Sequence, residues 1–88
     1  MTYKIIFIKE AQKDFQKIKK SHHKKTCLTL IDLIKTDPFK NPPPYKKLLG
    51  YSNMYSRRIN IQHRLLYELD EKNKMIKILK LWNHYYDN

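Results

Sequence analysis

Four cationic side chains, Arg57, Arg58, His63 and Arg64, stand in the strand-like stretch YSRRINIQHRLLYEL at residues 55 to 69. A half-buried strand alternates apolar and polar positions, and its polar positions usually carry mixed, neutral residues. A guanidinium forks onto two phosphate oxygens, so Arg64 with either Arg57 or Arg58 suits the grip on a phosphodiester. His84, in the terminal LWNHYYDN, suits a proton donor, because an unperturbed imidazole titrates near pH ~6.5. These are the parts of metal-free RNA cleavage. A base removes the 2′-hydroxyl proton, cations stabilise the phosphorane as the oxygen attacks in line, and an acid protonates the departing 5′-oxygen.

A plainer reading competes. Most charge clusters are solvated faces that keep a protein in solution, and most tail histidines have no role. Two features weigh against it here. Arg58 and Arg64 lie on strands that would pair across the short turn NIQH, where facing like charges cost stability unless an anion sits over them. Tyr51, Tyr55, Trp82, Tyr85 and Tyr86 add ring faces on which bases could stack, although such aromatics equally serve a core. His22 and His23 have no nearby carboxylate or thiol, so neither a metal nor a cofactor is assigned.

Composition supports a polyanionic partner. Nineteen Lys and Arg against eight Asp and Glu leave a formal charge of +11, a field suited to nucleic acid, an anionic membrane or an acidic protein. Membrane is the weakest of these, since YKIIFIK holds only four consecutive apolar residues and no basic helix has a wide apolar face. A cytoplasmic location is expected. The 88 residues make one domain, 1–88, with a modest core, so function belongs on the surface or in a shallow groove. Cys27, the single cysteine, sits among Leu28, Leu30 and Ile31 as a buried small hydrophobe.

The elements that must position these residues follow from periodicity. Residues 3 to 8 form a strand apolar on both faces, either central or covered by helix. Ala11, Phe15 and Ile18 predict a helix over about 10 to 20; after SHHKK, Cys27, Leu30, Ile31 and Ile34 predict a second, closed by Asp37 and Pro38. Prolines make residues 38 to 45 an extended connection that ends at Lys46 and Lys47. Strands are expected at about 54 to 61, 64 to 69 and 75 to 82, the last two joined by DEKNK. The expected fold is α+β, an antiparallel sheet packed on one face by an N-terminal helical hairpin in the order β-α-α-β-β-β. The arginines would take the other face.

Three segments, DPF at 37 to 39, YSRRINIQHRLLY at 55 to 67 and NHYY at 83 to 86, resemble the YoeB/Txe branch of the RelE superfamily. The middle segment is specific, and element order fits along the whole chain. The resemblance implies a RelE-like toxin of a type II toxin-antitoxin system, an endoribonuclease that cleaves mRNA in the ribosomal A site and inhibits translation. It implies a cognate small antitoxin, the ribosome and mRNA as partners, and a homodimer or toxin-antitoxin hetero-oligomer. Carried over, the catalytic set is Arg64, His84 and Tyr85, with Arg57 and Arg58 as phosphate contacts; Lys47 and His63, beside them in the sequence, are further candidate RNA contacts. A topoisomerase poison on the related ParE scaffold lacks support, because the SRRI and HRLLY pattern belongs to the RNA-cleaving branch.

The family's glutamate base does not carry over. Where the family has Glu-Lys-Leu or Glu-Pro-Leu, this chain has YKKLLG, with Lys46 at the matching place and Tyr45 as the alternative match. Glu10, Glu68 and Glu71 belong to other elements. Either Lys46 takes part in catalysis, as a neutral amine or as a charged stabiliser of the transition state, or the site has lost its base. In the second case the alternative is a non-catalytic basic module that binds the ribosome or another nucleic acid.

Overall fold

The computed structural model describes residues 2–60 and 63–81. The elements run β1 (Lys4–Phe7), α1 (Lys9–Lys19), α2 (Lys24–Thr36), β2 (Tyr45–Lys47), β3 (Met54–Arg58), β4 (Arg64–Asp70) and β5 (Met75–Lys80). The α+β architecture and the order of helices and strands agree with the expectation, and the sheet adds two details to it. Its order is β1-β5-β4-β3-β2, so β1 is an edge strand, and it joins β5 in parallel. The other ladders are antiparallel. The fifth strand, β2, begins at the residue after Pro44, where amide donors return to the chain and can pair with β3. Among the described residues no helix is long and apolar enough to cross a membrane.

The helices are held by their apolar stripes. Cys27, Leu30, Ile31 and Ile34 are all buried, and burial pushes the Cys27 thiol up to about 11, so it behaves as a small hydrophobe. Ala11 and Ile18 are fully buried on α1. They pack in one cluster with Leu65, Tyr67 and Leu69 of β4 and Ile76 and Ile78 of β5. Asp14 lies on the same stripe of α1, buried, and its carboxylate accepts the backbone N–H of Leu81 at 3.1 Å.

Arg57 occupies an unusual place in this core. Alternation along β3 turns it toward the helix-covered face, where it pairs in register with Leu65 and Tyr45 and is fully buried. Its guanidinium donates to the carbonyl of Pro43 at 2.7 Å, to that of Pro38 at 2.9 Å and to the Tyr67 hydroxyl at 3.2 Å. The Tyr67 hydroxyl in turn donates to Pro38 at 3.2 Å. Burial raises the Tyr67 pKa against the opposing pull of Arg57, which keeps the proton available for that bond. Prolines cannot donate, but their carbonyls accept, and Arg57 uses that chemistry to tie the connection between α2 and β2 onto the sheet.

A lysine at position 57 has a single ammonium and cannot span the three acceptors. Arg57→Lys should therefore lower stability by about 2–4 kcal/mol in a denaturant titration, since charged donors to buried acceptors are each worth ~1.5–3 kcal/mol. For a domain of this size the melting temperature should fall by about 10–20 °C. An unchanged transition would show that the tie is dispensable.

Candidate functional site

On the face opposite Arg57, strand register gathers three cations, Lys46, Arg58 and Arg64. Lys46 of β2 pairs with Ser56 of β3, and Arg58 pairs with Arg64 of β4. Even-numbered positions on β2, β3 and β4 share this face, because side chains alternate along each strand. Pro44, Tyr45, Lys46, Ser56, Arg58 and Arg64 line a groove of about 260 Å³. Lys46 and Arg58 are exposed, Arg64 is half-buried, and the buried Ser56 hydroxyl accepts from the Arg64 guanidinium at 3.5 Å. Ser56 escaped the sequence reading, although its position two residues before Arg58 on the same strand places it on the same face.

Chemically, the groove has the charge to receive an anion. Arg58 and Arg64 are direct cross-strand partners, so both guanidiniums can reach one phosphate, and Lys46 adds a third positive charge from the neighbouring strand. Among the described residues no carboxylate lines it. Glu10 instead pairs with Lys80, Glu68 stands opposite Met54 at the far end of the ladder from Arg64, and Glu71 lies in the turn after β4. Among the described residues the groove thus offers cations for charge stabilisation and no carboxylate base.

The other expected RNA contacts are placed elsewhere. Arg57 is corrected from the exposed face to the interior, where it holds the proline connection. His63 is likewise buried, on the opposite side of β4 from Arg64. Its ring lies 5.3 Å from that of His23, whose ring nitrogen is 2.8 Å from the Asn60 amide, so His63 packs against the turn joining the helices. Lys47 is exposed, but alternation turns it away from Lys46, and it pairs with Tyr55. Tyr55 belongs to an aromatic cluster on that side, stacked on Tyr67 at 5.9 Å and edge-on to Phe39 at 5.6 Å. Tyr51 is exposed in the loop after β2. His84 and Tyr85, with Trp82 and Tyr86, lie outside the described residues.

Comparison with known proteins adds a family to this geometry. The family described as YoeB-like toxin of bacterial type II toxin-antitoxin system matches residues 7–85. Among solved structures, a YoeB/ParE toxin from Agrobacterium tumefaciens has a TM-score of 0.84 at 21% identity, covering 93% of this chain and 99% of that one. The YoeB dimer from Staphylococcus aureus gives 0.82 at 28% identity, covering 97% and 100%. A heterotetrameric YoeB-YefM toxin-antitoxin complex from the same organism gives 0.78 at 28% identity, with the same coverage. No curated protein matches the chain at a significant level.

If the groove is the anion receptor, its two arginines should carry the salt dependence of binding. Arg58→Ala and Arg64→Ala should each flatten the slope of log affinity against log salt by about 0.7 for a short single-stranded RNA. Lys47→Ala, on the other face, should change it far less. Fluorescence anisotropy between roughly 50 and 200 mM salt measures the slope. Equal losses from Lys47→Ala and Arg58→Ala would mean that the attraction is diffuse and the groove is not its seat.

Proposed function

The chain belongs to the YoeB-like toxins of bacterial type II toxin-antitoxin systems, and from that we propose that it is a ribosome-dependent endoribonuclease that cleaves mRNA in the A site and so inhibits translation. The observation that carries the proposal is the convergence of Lys46, Arg58 and Arg64 around Ser56 in one groove of the open sheet face. In this reading the scissile phosphate lies across Arg58 and Arg64, which stabilise the charge that builds up as the 2′-oxygen attacks. His84 protonates the leaving 5′-oxygen with Tyr85 beside it. Protein cations supply the stabilisation that a metal gives other nucleases.

Lys46 takes the place of the missing base. As a neutral amine it accepts the 2′-hydroxyl proton; as an ammonium it adds to the stabilisation of the phosphorane, and the ribosome supplies the proton acceptor. The cognate partner is a small antitoxin, in keeping with the toxin-antitoxin heterotetramer of the Staphylococcus aureus relative, and the dimer of that relative makes self-association a second assembly. The absence of a carboxylate among the described residues that line the groove favours one other reading, a toxin that occupies the A site and blocks it without cutting. Cleaved transcripts distinguish the two.

The test is cleavage by programmed ribosomes, read by primer extension, for wild type, Arg64→Ala, Lys46→Ala and Lys46→Glu. Arg64→Ala should lose cleavage and growth inhibition while staying folded and bound to antitoxin; unchanged toxicity would remove Arg64 from the site. One positioned acid or base is worth ~10²–10⁴-fold in rate, so Lys46→Ala should fall by an amount in that range if Lys46 is the base. Faster cleavage by Lys46→Glu would identify position 46 as a vacated carboxylate site. Equal rates in all three Lys46 forms would make Lys46 a bystander.

A further inference from the structure

We propose that Asn60 is a positioning residue of the groove: its side chain ties the end of the β3–β4 ladder to the turn between the helices and thereby holds Arg58 and Arg64 together at one phosphate. The inference rests on the reading that the groove takes the phosphodiester. Asn60 is half-buried, and both ends of its amide are engaged. Its Oδ1 accepts the His63 N–H at 2.7 Å, and because a backbone N–H can only donate, this bond fixes which way the amide is turned. Nδ2 therefore faces the His23 ring, with Nε2 at 2.8 Å, and a neutral imidazole nitrogen accepts that bond. His23 stands just before α2, and its own N–H donates to the Ser21 hydroxyl at 3.1 Å. One side chain thus joins the sheet to the helical layer beside the cationic pair.

Register explains why that tie bears on the arginines. In an antiparallel ladder, hydrogen-bonded pairs alternate with pairs that exchange no backbone bond and bring their side chains closest, with Cα atoms ~4.5 Å apart. The Leu69 N–H donates to the Asn53 carbonyl and the Ile59 N–H to that of His63, so the bonded positions along β3 and β4 are the odd-numbered ones. Arg58 and Arg64 are consequently a pair of the second kind, with no backbone bond between them to resist the repulsion of two guanidiniums held close. Their spacing depends on the bonded pairs to either side. Arg57 and Leu65 form one of these, in the core. Ile59 and His63 form the other, where the Ile59 N–H reaches the His63 carbonyl at 2.8 Å while the His63 N–H goes to Asn60 and not back across the ladder. Half of the restraint on the outer side of the arginine pair is therefore a side chain, that of Asn60.

The test is a double-mutant cycle on the binding of a short single-stranded RNA, read by fluorescence anisotropy. Two arginines on one phosphate act together, so Arg58→Ala and Arg64→Ala combined should weaken binding roughly tenfold less than the product of their separate losses. In Asn60→Ala that coupling should vanish, and RNA should bind roughly tenfold more weakly, the size of the coupling lost. Loss of stability alone does not make the two arginines independent. Asn73→Ala is the control: Asn73 donates to Asp70 at the other end of β4 from Arg64, and its loss should leave the coupling intact. Should Asn60→Ala fail to fold, His23→Phe keeps a ring in place, removes the acceptor and carries the same expectation. Unchanged coupling in whichever of these two variants folds, or an equal loss in Asn73→Ala, would overturn the proposal and leave the groove reading standing. Arginine substitutions without effect on RNA binding in the otherwise unaltered protein would overturn the groove reading, and the proposal with it.

Discussion

The fold depends on a charged group being buried where charge is normally excluded. The Arg57 guanidinium sits inside the protein because the carbonyls of Pro38 and Pro43, in the proline-rich connection, accept from it there. Each side makes the other tolerable: the arginine gains acceptors from Pro38, Pro43 and Tyr67, and the connection gains a fixed path along the sheet. The ring of Tyr45, 5.1 Å from the guanidinium, closes the arrangement at the first residue of β2. The position of Lys46, one residue later, is therefore set from inside the molecule.

Alternation then separates structure from function. Arg57 and Arg58 are neighbours in sequence and identical in chemistry, yet the pleat sends one inward to hold the connection and the other outward to the groove. Lys46 and Lys47 divide in the same way, as do His63 and Arg64. The cationic site consequently draws one residue from each pair, contributed by three adjacent strands. Part of the chain's positive charge does structural work that net charge alone does not reveal.

Much of this was legible in the residues. The helices followed from the spacing of Ala11 and Ile18 and of Cys27, Leu30, Ile31 and Ile34, since a buried stripe leaves a 3.6-residue signature. The strands at 54, 64 and 75 followed from β-branched and aromatic runs bounded by turns. β2 was hidden because three residues carry too little periodicity to stand out beside four prolines. The parallel pairing of β1 was hidden because it joins residues some seventy positions apart, and local pattern does not report partner choice. For the site, Arg58, Arg64 and Lys46 were found by type and spacing, whereas Arg57 and His63 were placed with them on charge, although a strict two-residue period would have set both apart. Asp14 carried no such signal, since a lone carboxylate on an amphipathic helix looks like a solvated one.

The facing pair Arg58 and Arg64 makes the stability of this protein a property of its surroundings as well as of its sequence. Two guanidiniums held opposite one another repel, and any anion that settles between them binds the folded chain and not the unfolded one. By mass action, the folded population then grows with the concentration of that anion, gaining about 2.7 kcal/mol at a hundred times its dissociation constant. An anion held by the groove would thus favour the folded chain over the unfolded one.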